Sequence, residues 1–115
     1  MELKNTWEIR NDEETKQIVE ASKEELLLLN DDTRVSEKAD FFKALGDETR
    51  LKIIGMLLVS DLCMCEIVSG LEVPTSTVSH HLKVLERGAV IQSRKEGKFT
   101  IFSLNKEEVA PYLLK

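Results

Sequence analysis

The 115-residue sequence predicts one α+β domain, mostly helical, with a single β-hairpin near its C-terminal end. Three observations carry that expectation. Apolar residues recur at helical spacing in successive segments between residues 12 and 87. Two β-rich runs, Val90–Arg94 and Phe99–Leu104, flank a turn at Lys95-Glu96-Gly97-Lys98. Residues that cap helices, Asn11, Ser36, Asp47 and Asn105, stand where new periodic segments begin.

The elements follow in order. The first ten residues read as an arm. Asn11 with Glu14 three residues on is a capping box, opening a helix over 12–29 with acids in its first turn. It ends in Leu26-Leu27-Leu28-Leu29, which covers every side of one helical turn. Burial against the chain's own core is one explanation and a dimer interface at Leu26 and Leu29 is the preferred one. A polar break, Asn30–Thr33, precedes a helix over 36–45 capped by Ser36, with Ala39, Phe42 and Leu45 on one face. Gly46 ends it and Asp47 caps the next, with Arg50 in its first turn and Leu51, Ile54, Leu57 and Leu58 at helical spacing. Gly55 inside that helix points to close packing. A short helix over 63–70 follows, then a tight Glu72-Val73-Pro74 connection, since Pro74 disfavours helix at Val73.

TSTVSHHLKVLERG is a helix over 75–87 with two unlike faces. Val78, His81, Leu82 and Leu85 share one, so His81 is read as structural. Ser76, Ser79, His80, Lys83 and Arg87 share the other. The hairpin comes next, with Gly97 where a positive φ is expected. Asn105 caps a last helix over 106–114, kinked or broken by Pro111, with Tyr112 and Leu113 assigned to a dimer interface.

Composition sets the bounds. The chain is 42% hydrophobic and 32% charged, which excludes a wholly disordered protein, and its length excludes a large multidomain enzyme. The longest apolar stretch is Ile53–Val59, too short for a membrane, and MELKNTWEIR has no signal-peptide pattern, so a cytoplasmic location is expected. Two cysteines, Cys63 and Cys65, suit a reduced intracellular thiol pair better than a disulfide scaffold.

A net charge of −5 disguises an uneven distribution. Residues 1–40 hold 12 acids and 6 bases, net −6, while residues 41–115 hold 9 acids and 10 bases, net +1. Within 75–98 five bases (Lys83, Arg87, Arg94, Lys95, Lys98) face two acids (Glu86, Glu96), net +3. Local charge, and not the total, steers a polyanion.

Two short helices, a tight turn and a basic hairpin make a winged helix-turn-helix with a two-stranded wing. The small polar and basic face of helix 75–87 suits a DNA major groove: Ser and Thr reach phosphates and base edges, and Lys and Arg neutralise the backbone. An ordinary amphipathic surface helix is the rival, and it would favour Glu and Lys over this Thr/Ser/His set. His80 is either a phosphate or base contact or a plain exposed residue.

The segments FFKALGDETRLKIIGML, LCMCEIVSGL, STVSHHLKVLERGAV and SRKEGKFTIFSL, in this order and spacing, resemble the ArsR/SmtB family of dimeric winged-helix repressors over residues 36–104. The resemblance implies that the helix over 75–87 is the recognition helix, with Thr75, Ser76, Ser79 and His80 facing the groove, and Arg94, Lys95 and Lys98 lining the wing. It also implies pairing of first and last helices across a two-fold axis, a palindromic double-stranded operator, and release by an effector. The chain then divides into an acidic arm and dimerisation helix (1–34), the DNA-binding core (35–104) and a C-terminal dimerisation helix (105–115). One departure is Gly88-Ala89 where the family has Ala-Gly; either the recognition helix stops one residue early or Ala89 is strained.

Leu62-Cys63-Met64-Cys65-Glu66 is similar to the family's thiolate sensing motif. Two thiols at a helix start should have lowered pKa values, and soft ions prefer thiolate. Arsenic, antimony, cadmium and lead are the expected effectors, with no cofactor required. Binding there would strain the first reading helix, and neither sulfur is expected to point into the groove. The third cysteine of arsenic sensors is Val68 here, and the last helix, lacking His, has no counterpart of the family's zinc site. Two buried structural cysteines and a thiol-oxidation switch stay open as alternatives. A winged helix used only for protein association is a further alternative. Catalysis is not expected: a nucleophilic Cys63 with His80 or His81 lacks a third orienting group.

Overall fold

In the computed structural model residues 6–114 are described, and they divide into two compact units between Val35 and Ser36.

In the first unit α1 (Asp12–Glu25) opens on the expected capping box: Asn11 Oδ1 accepts from Glu14 N at 2.8 Å and Glu14 Oε1 accepts from Asn11 N at 3.1 Å. The helix does not reach residue 29. Leu26 leaves helical geometry, and Leu27–Asn30 forms a single 3-10 turn. The Asn30 amide causes the stop. Its Nδ2 donates to the carbonyls of Lys23 and Leu27, satisfying acceptors that another α-turn would have used. The four leucines are therefore not a continuous α-turn; Leu26 and Leu27 are exposed and Leu28 and Leu29 half-buried.

The next helix, α2 (Asp32–Leu45), starts four residues before the expected Ser36. Asp31 Oδ1 accepts from the backbone of Thr33 and Arg34, so the presumed polar break is the cap. Its core face is also one residue off. Phe41 and Ala44 are buried, whereas Ala39 and Phe42 are exposed, with Leu45 half-buried between them. Phe42 instead packs edge-on against Phe41 and Tyr112, with ring centroids 5.3 and 5.2 Å away.

Helix α3 (Glu48–Val59) is capped by Asp47 as expected. It buries Arg50, Ile53, Ile54 and Leu57, while Leu51 and Leu58 face outward. The expected close packing at Gly55 is absent within the chain, since a Cβ built there meets nothing within 4 Å.

Then comes an element not expected from the sequence: β1 (Leu62–Cys63), followed directly by α4 (Met64–Leu71) and α5 (Thr75–Arg87). The hairpin consists of β2 (Ile91–Glu96) and β3 (Phe99–Leu104), joined through Gly97 at φ 61°. β2 starts one residue later than expected and runs two residues further into the tip, while β3 spans the expected residues. β1 pairs antiparallel with the other edge of β3, Leu62 opposite Phe102 and Cys63 opposite Ile101. The sheet thus has three strands in the order β1-β3-β2. Two residues with little β-character carry no periodic signal, so β1 was invisible in isolation.

The last helix, α6 (Lys106–Leu113), runs through Pro111. Asn105 is its N-cap residue as expected, but its side chain makes no capping hydrogen bond; its Nδ2 donates to Ala89 O at 2.7 Å. The core joins Ile53, Ile54, Ile67, Val78, Leu85, Val90 and Val109, all almost fully buried, so α6 is seated in the same core as the reading helices. Burying such a side chain contributes roughly 1.5–3 kcal/mol.

The Gly88-Ala89 order now has a reason. A Cβ on Gly88 would lie 2.6 Å from Asp40 O and 2.9 Å from Ala44 Cβ. Only glycine lets α5 end so close to α2. The left-handed residue is then Ala89, at φ 60°, a conformation costing an L-residue roughly 1–2 kcal/mol. Close packing wins over cap comfort at this corner.

Candidate nucleic-acid interface and thiol cleft

The reading motif is α4, the Glu72–Pro74 turn and α5. Glu72, at φ 57°, turns the chain after α4. Helix α5 spans the expected residues, with Val78, Leu82 and Leu85 seated in the core. That orientation leaves Thr75, Ser76, His80, Lys83 and Arg87 exposed, with Ser79 half-buried. His81 lies on the core side. Its Nδ1 is 3.0 Å from Arg50 Nη1 and 3.8 Å from Asp47, and burial pushes its pKa down.

The wing residues Arg94, Lys95 and Lys98 are all exposed, but they are not equivalent. Arg94 donates to Asp61 Oδ2 at 2.8 Å and to Glu96 Oε2 at 2.7 Å. These two carboxylates raise its pKa and cancel its charge locally. Arg94 therefore braces the hairpin against the start of β1. Lys95 and Lys98 carry the wing's available positive charge, Lys98 lying 5.7 Å from the centre of the Phe99 ring. Sequence could not separate these roles, because Asp61 is 33 positions from Arg94.

The thiols sit at a junction. Cys63 ends β1 and is the N-cap of α4; Cys65 is in the first turn of that helix. Cys63 is buried and Cys65 exposed, with their sulfurs 2.7 Å apart. Glu66 Oε1 accepts from Cys63 N at 3.0 Å, which holds the Glu66 carboxylate below its ordinary pKa.

The expectation of a lowered Cys63 pKa is corrected. Its hydrogen bond with the neighbouring Cys65 sulfur outweighs the helix-start amide and holds the Cys63 thiol above its ordinary value.

Among the described residues no third His, Cys, Asp or Glu joins them in a metal-ligating group. The donor chemistry fits a thiophilic ion, with the pair as a chelate lacking a third donor from this chain. Cys63 is tied to the wing through β1 and β3.

Neither thiol was expected to point into the groove. They line a cleft of about 450 Å³ whose other walls are α5 and β3, with Ser79, Lys83 and Glu86 on one side and Lys98 and Phe99 on another. The cleft thus unites the thiols with three predicted DNA-contact residues. No local pattern signals this, because it depends on β1 drawing the start of α4 onto the wing sheet.

Of the predicted interface residues, Leu26, Tyr112 and Leu113 are exposed and Leu29 is half-buried. No described helix is long and apolar enough to cross a membrane.

Comparison with known proteins agrees with this architecture. Residues 47–90 match the family described as bacterial regulatory protein, arsR family. A cadmium resistance transcriptional regulatory protein CadC homolog from Staphylococcus aureus is 44% identical over 72 residues, 62% of this chain and 60% of that protein. The chain thus matches less than two thirds of that relative's length. An uncharacterized HTH-type transcriptional regulator from Methanocaldococcus jannaschii is 35% identical over 66% of this chain and 86% of its own length.

Among solved structures, HlyU from Vibrio cholerae superposes with a TM-score of 0.60 at 34% identity, over 67% of this chain and 84% of that one. The homodimeric winged helix-turn-helix DNA-binding domain of a possible ArsR-family transcriptional regulator from Mycobacterium bovis gives 0.62 at 26%, over 67% and 71%. These relatives are regulators and not enzymes. With its reading helix, its wing and relatives matched over most of their length, the chain belongs to the ArsR family of DNA-binding transcriptional regulators.

Proposed function

We propose that this chain is a homodimeric repressor that holds a palindromic double-stranded operator and leaves it when a thiophilic metal or metalloid binds Cys63 and Cys65. The observation that carries this reading is the position of the two sulfurs, 2.7 Å apart in one cleft with Ser79, Lys83 and Lys98. Thr75, Ser76, Ser79 and His80 read base edges, and Lys83, Arg87, Lys95 and Lys98 neutralise phosphates. Arg94 orients the wing. Residues 1–34 with Leu26 and Leu29, and residues 105–115 with Tyr112 and Leu113, form the dimer surfaces.

Relatives support the effector class. The S. aureus relative is named for cadmium resistance, and a Staphylococcus xylosus relative, 32% identical over 71 residues, is named an arsenical resistance operon repressor. An ion held by both sulfurs would act on β1, hence on β3 and the wing, and on the first turn of α4. The DNA-competent arrangement is then disfavoured by differential binding. Sulfurs this close also favour one rival, oxidation of the pair, although an i, i+2 disulfide needs distorted geometry.

The test is a mobility shift with DNA from the chain's own upstream region, titrated in parallel with arsenite, antimonite, cadmium, lead, zinc and peroxide. Release by a thiophilic ion supports the proposal. Release by peroxide alone supports the redox reading, and no shift on DNA would return the winged helix to a protein-association role.

A further inference from the structure

The thiol pair leaves a metalloid one donor short, and the cleft beside it shows what could supply that donor. Trivalent arsenic takes three sulfurs, and this chain brings two. Glu66 is a poor third, since it offers oxygen in place of sulfur and its Oε1 already accepts from Cys63 N. The neighbouring space, about 450 Å³, exceeds what a water ligand needs and lies within the size range of small-molecule sites. Its walls are not neutral. Lys83 on α5 and Lys98 beside the wing turn both line it, against a single acid, Glu86. Neither lysine has a carboxylate partner among the described ion pairs, while Glu86 accepts the Ser93 hydroxyl at 3.3 Å. The lining carries a net charge of +1 next to an incomplete set of soft ligands.

We propose that this cleft binds a small anionic thiol, which supplies the third sulfur to a metalloid on Cys63 and Cys65 while its carboxylates pair with Lys83 and Lys98. The proposal rests on the metalloid reading above and names the chemistry that completes it. The step is ligand exchange without redox. Arsenous acid, As(OH)3, exchanges three As–O bonds for three As–S bonds to Cys63, Cys65 and the small thiol. The three thiol protons leave with the three hydroxides as three waters, and arsenic stays trivalent. The effector then occupies two cations otherwise available to DNA phosphates, so release has a direct electrostatic part beside the strain on β1.

The experiment uses the full reduced chain without DNA, titrated with arsenite in the presence of 2-mercaptoethanol, mercaptosuccinate or cysteamine at equal thiol concentration. Near-UV absorbance of arsenic–sulfur bonds reports binding. Two exposed ion pairs predict a five- to twentyfold tighter apparent affinity with mercaptosuccinate than with 2-mercaptoethanol, and the weakest with cysteamine. One small thiol should be retained per bound arsenic. Thiol–arsenite chemistry in free solution is the same for every protein variant. In Lys83→Gln/Lys98→Gln, with folding checked by circular dichroism, the advantage should therefore fall to within twofold. An equal advantage in wild type and double variant, or no dependence on thiol charge, overturns the proposal and leaves the metalloid reading standing. Absence of arsenite binding with every thiol, or unchanged binding in Cys63→Ser, overturns both.

Discussion

Arg50 Nη1 lies 3.0 Å from Nδ1 of His81, joining the start of α3 to the middle of the recognition helix. A guanidinium only donates, so His81 Nδ1 accepts and the ring is neutral with its proton on Nε2. Arg50 also donates from Nε to Ala44 O and from Nη2 to Lys43 O, closing the end of α2. One buried arginine thereby registers three helices, and every atom that could be orphaned there has a partner.

This arrangement makes stability depend on pH. Burial holds the His81 pKa below its ordinary value, near 6.5, so the unfolded chain binds the proton more readily. Stability from this group is complete above about pH 6.5 and falls as pH drops through that value toward the folded pKa. Asp47 adds a lower window: its carboxyl, accepting the Arg50 backbone N–H, is held below its ordinary value, so its contribution is present above about pH 4 and lost in acid. Urea midpoints between pH 5.5 and 7.5 should rise with pH in the wild type. In His81→Gln, which keeps an acceptor for Arg50, that slope should flatten; an unchanged slope would refute the assignment.

The Gly88-Ala89 corner predicts opposite effects at adjacent positions. Gly88→Ala forces a methyl against Asp40 O and Ala44 Cβ and should destabilise by about 1–3 kcal/mol. Ala89→Gly relieves the left-handed strain and should stabilise by up to about 1 kcal/mol. Equilibrium urea denaturation separates them. The double exchange to the family's Ala-Gly order should remain less stable than wild type, because the clash exceeds the relief.

On DNA, Lys98→Ala and Lys95→Ala should weaken binding to all sequences about equally and lower the salt slope by roughly one each. Arg94→Ala should change the slope less, its charge being met by Asp61 and Glu96. Ser79→Ala and His80→Ala should alter sequence preference. Fluorescence anisotropy over a salt series on operator and scrambled duplexes reads all of these. A full unit of slope lost in Arg94→Ala would assign that residue to phosphate after all.

Cys63→Ser and Cys65→Ser should each bind the operator within about threefold of wild type, yet need at least tenfold more arsenite or cadmium for release, since one sulfur cannot chelate. Mobility shifts with added effector decide this. Wild-type release in either variant would make the pair structural.

The exposed Tyr112, Leu113 and Leu26 predict a dimer at micromolar concentration, and Leu113→Asp should shift sedimentation toward monomer. Wild-type chain sedimenting as a monomer would sink the homodimer.

Local chemistry was enough to place α5 residue for residue, the capping box at Asn11, the Asp47 cap and the left-handed turn at Gly97. Each depends on side chains within a few positions of one another, which sequence displays directly. Features set by distant partners were hidden. Phe41 replaced Phe42 on the core face of α2, and Asn30 cut α1 short before the leucines. Arg94 met Asp61, and β1 found its partner in β3 across 40 residues of chain. The cleft is the clearest case. Cys63 and Lys98 carry no mutual signal along the chain, because strand pairing and helix packing, not proximity in sequence, bring the thiols beside the wing and the recognition helix.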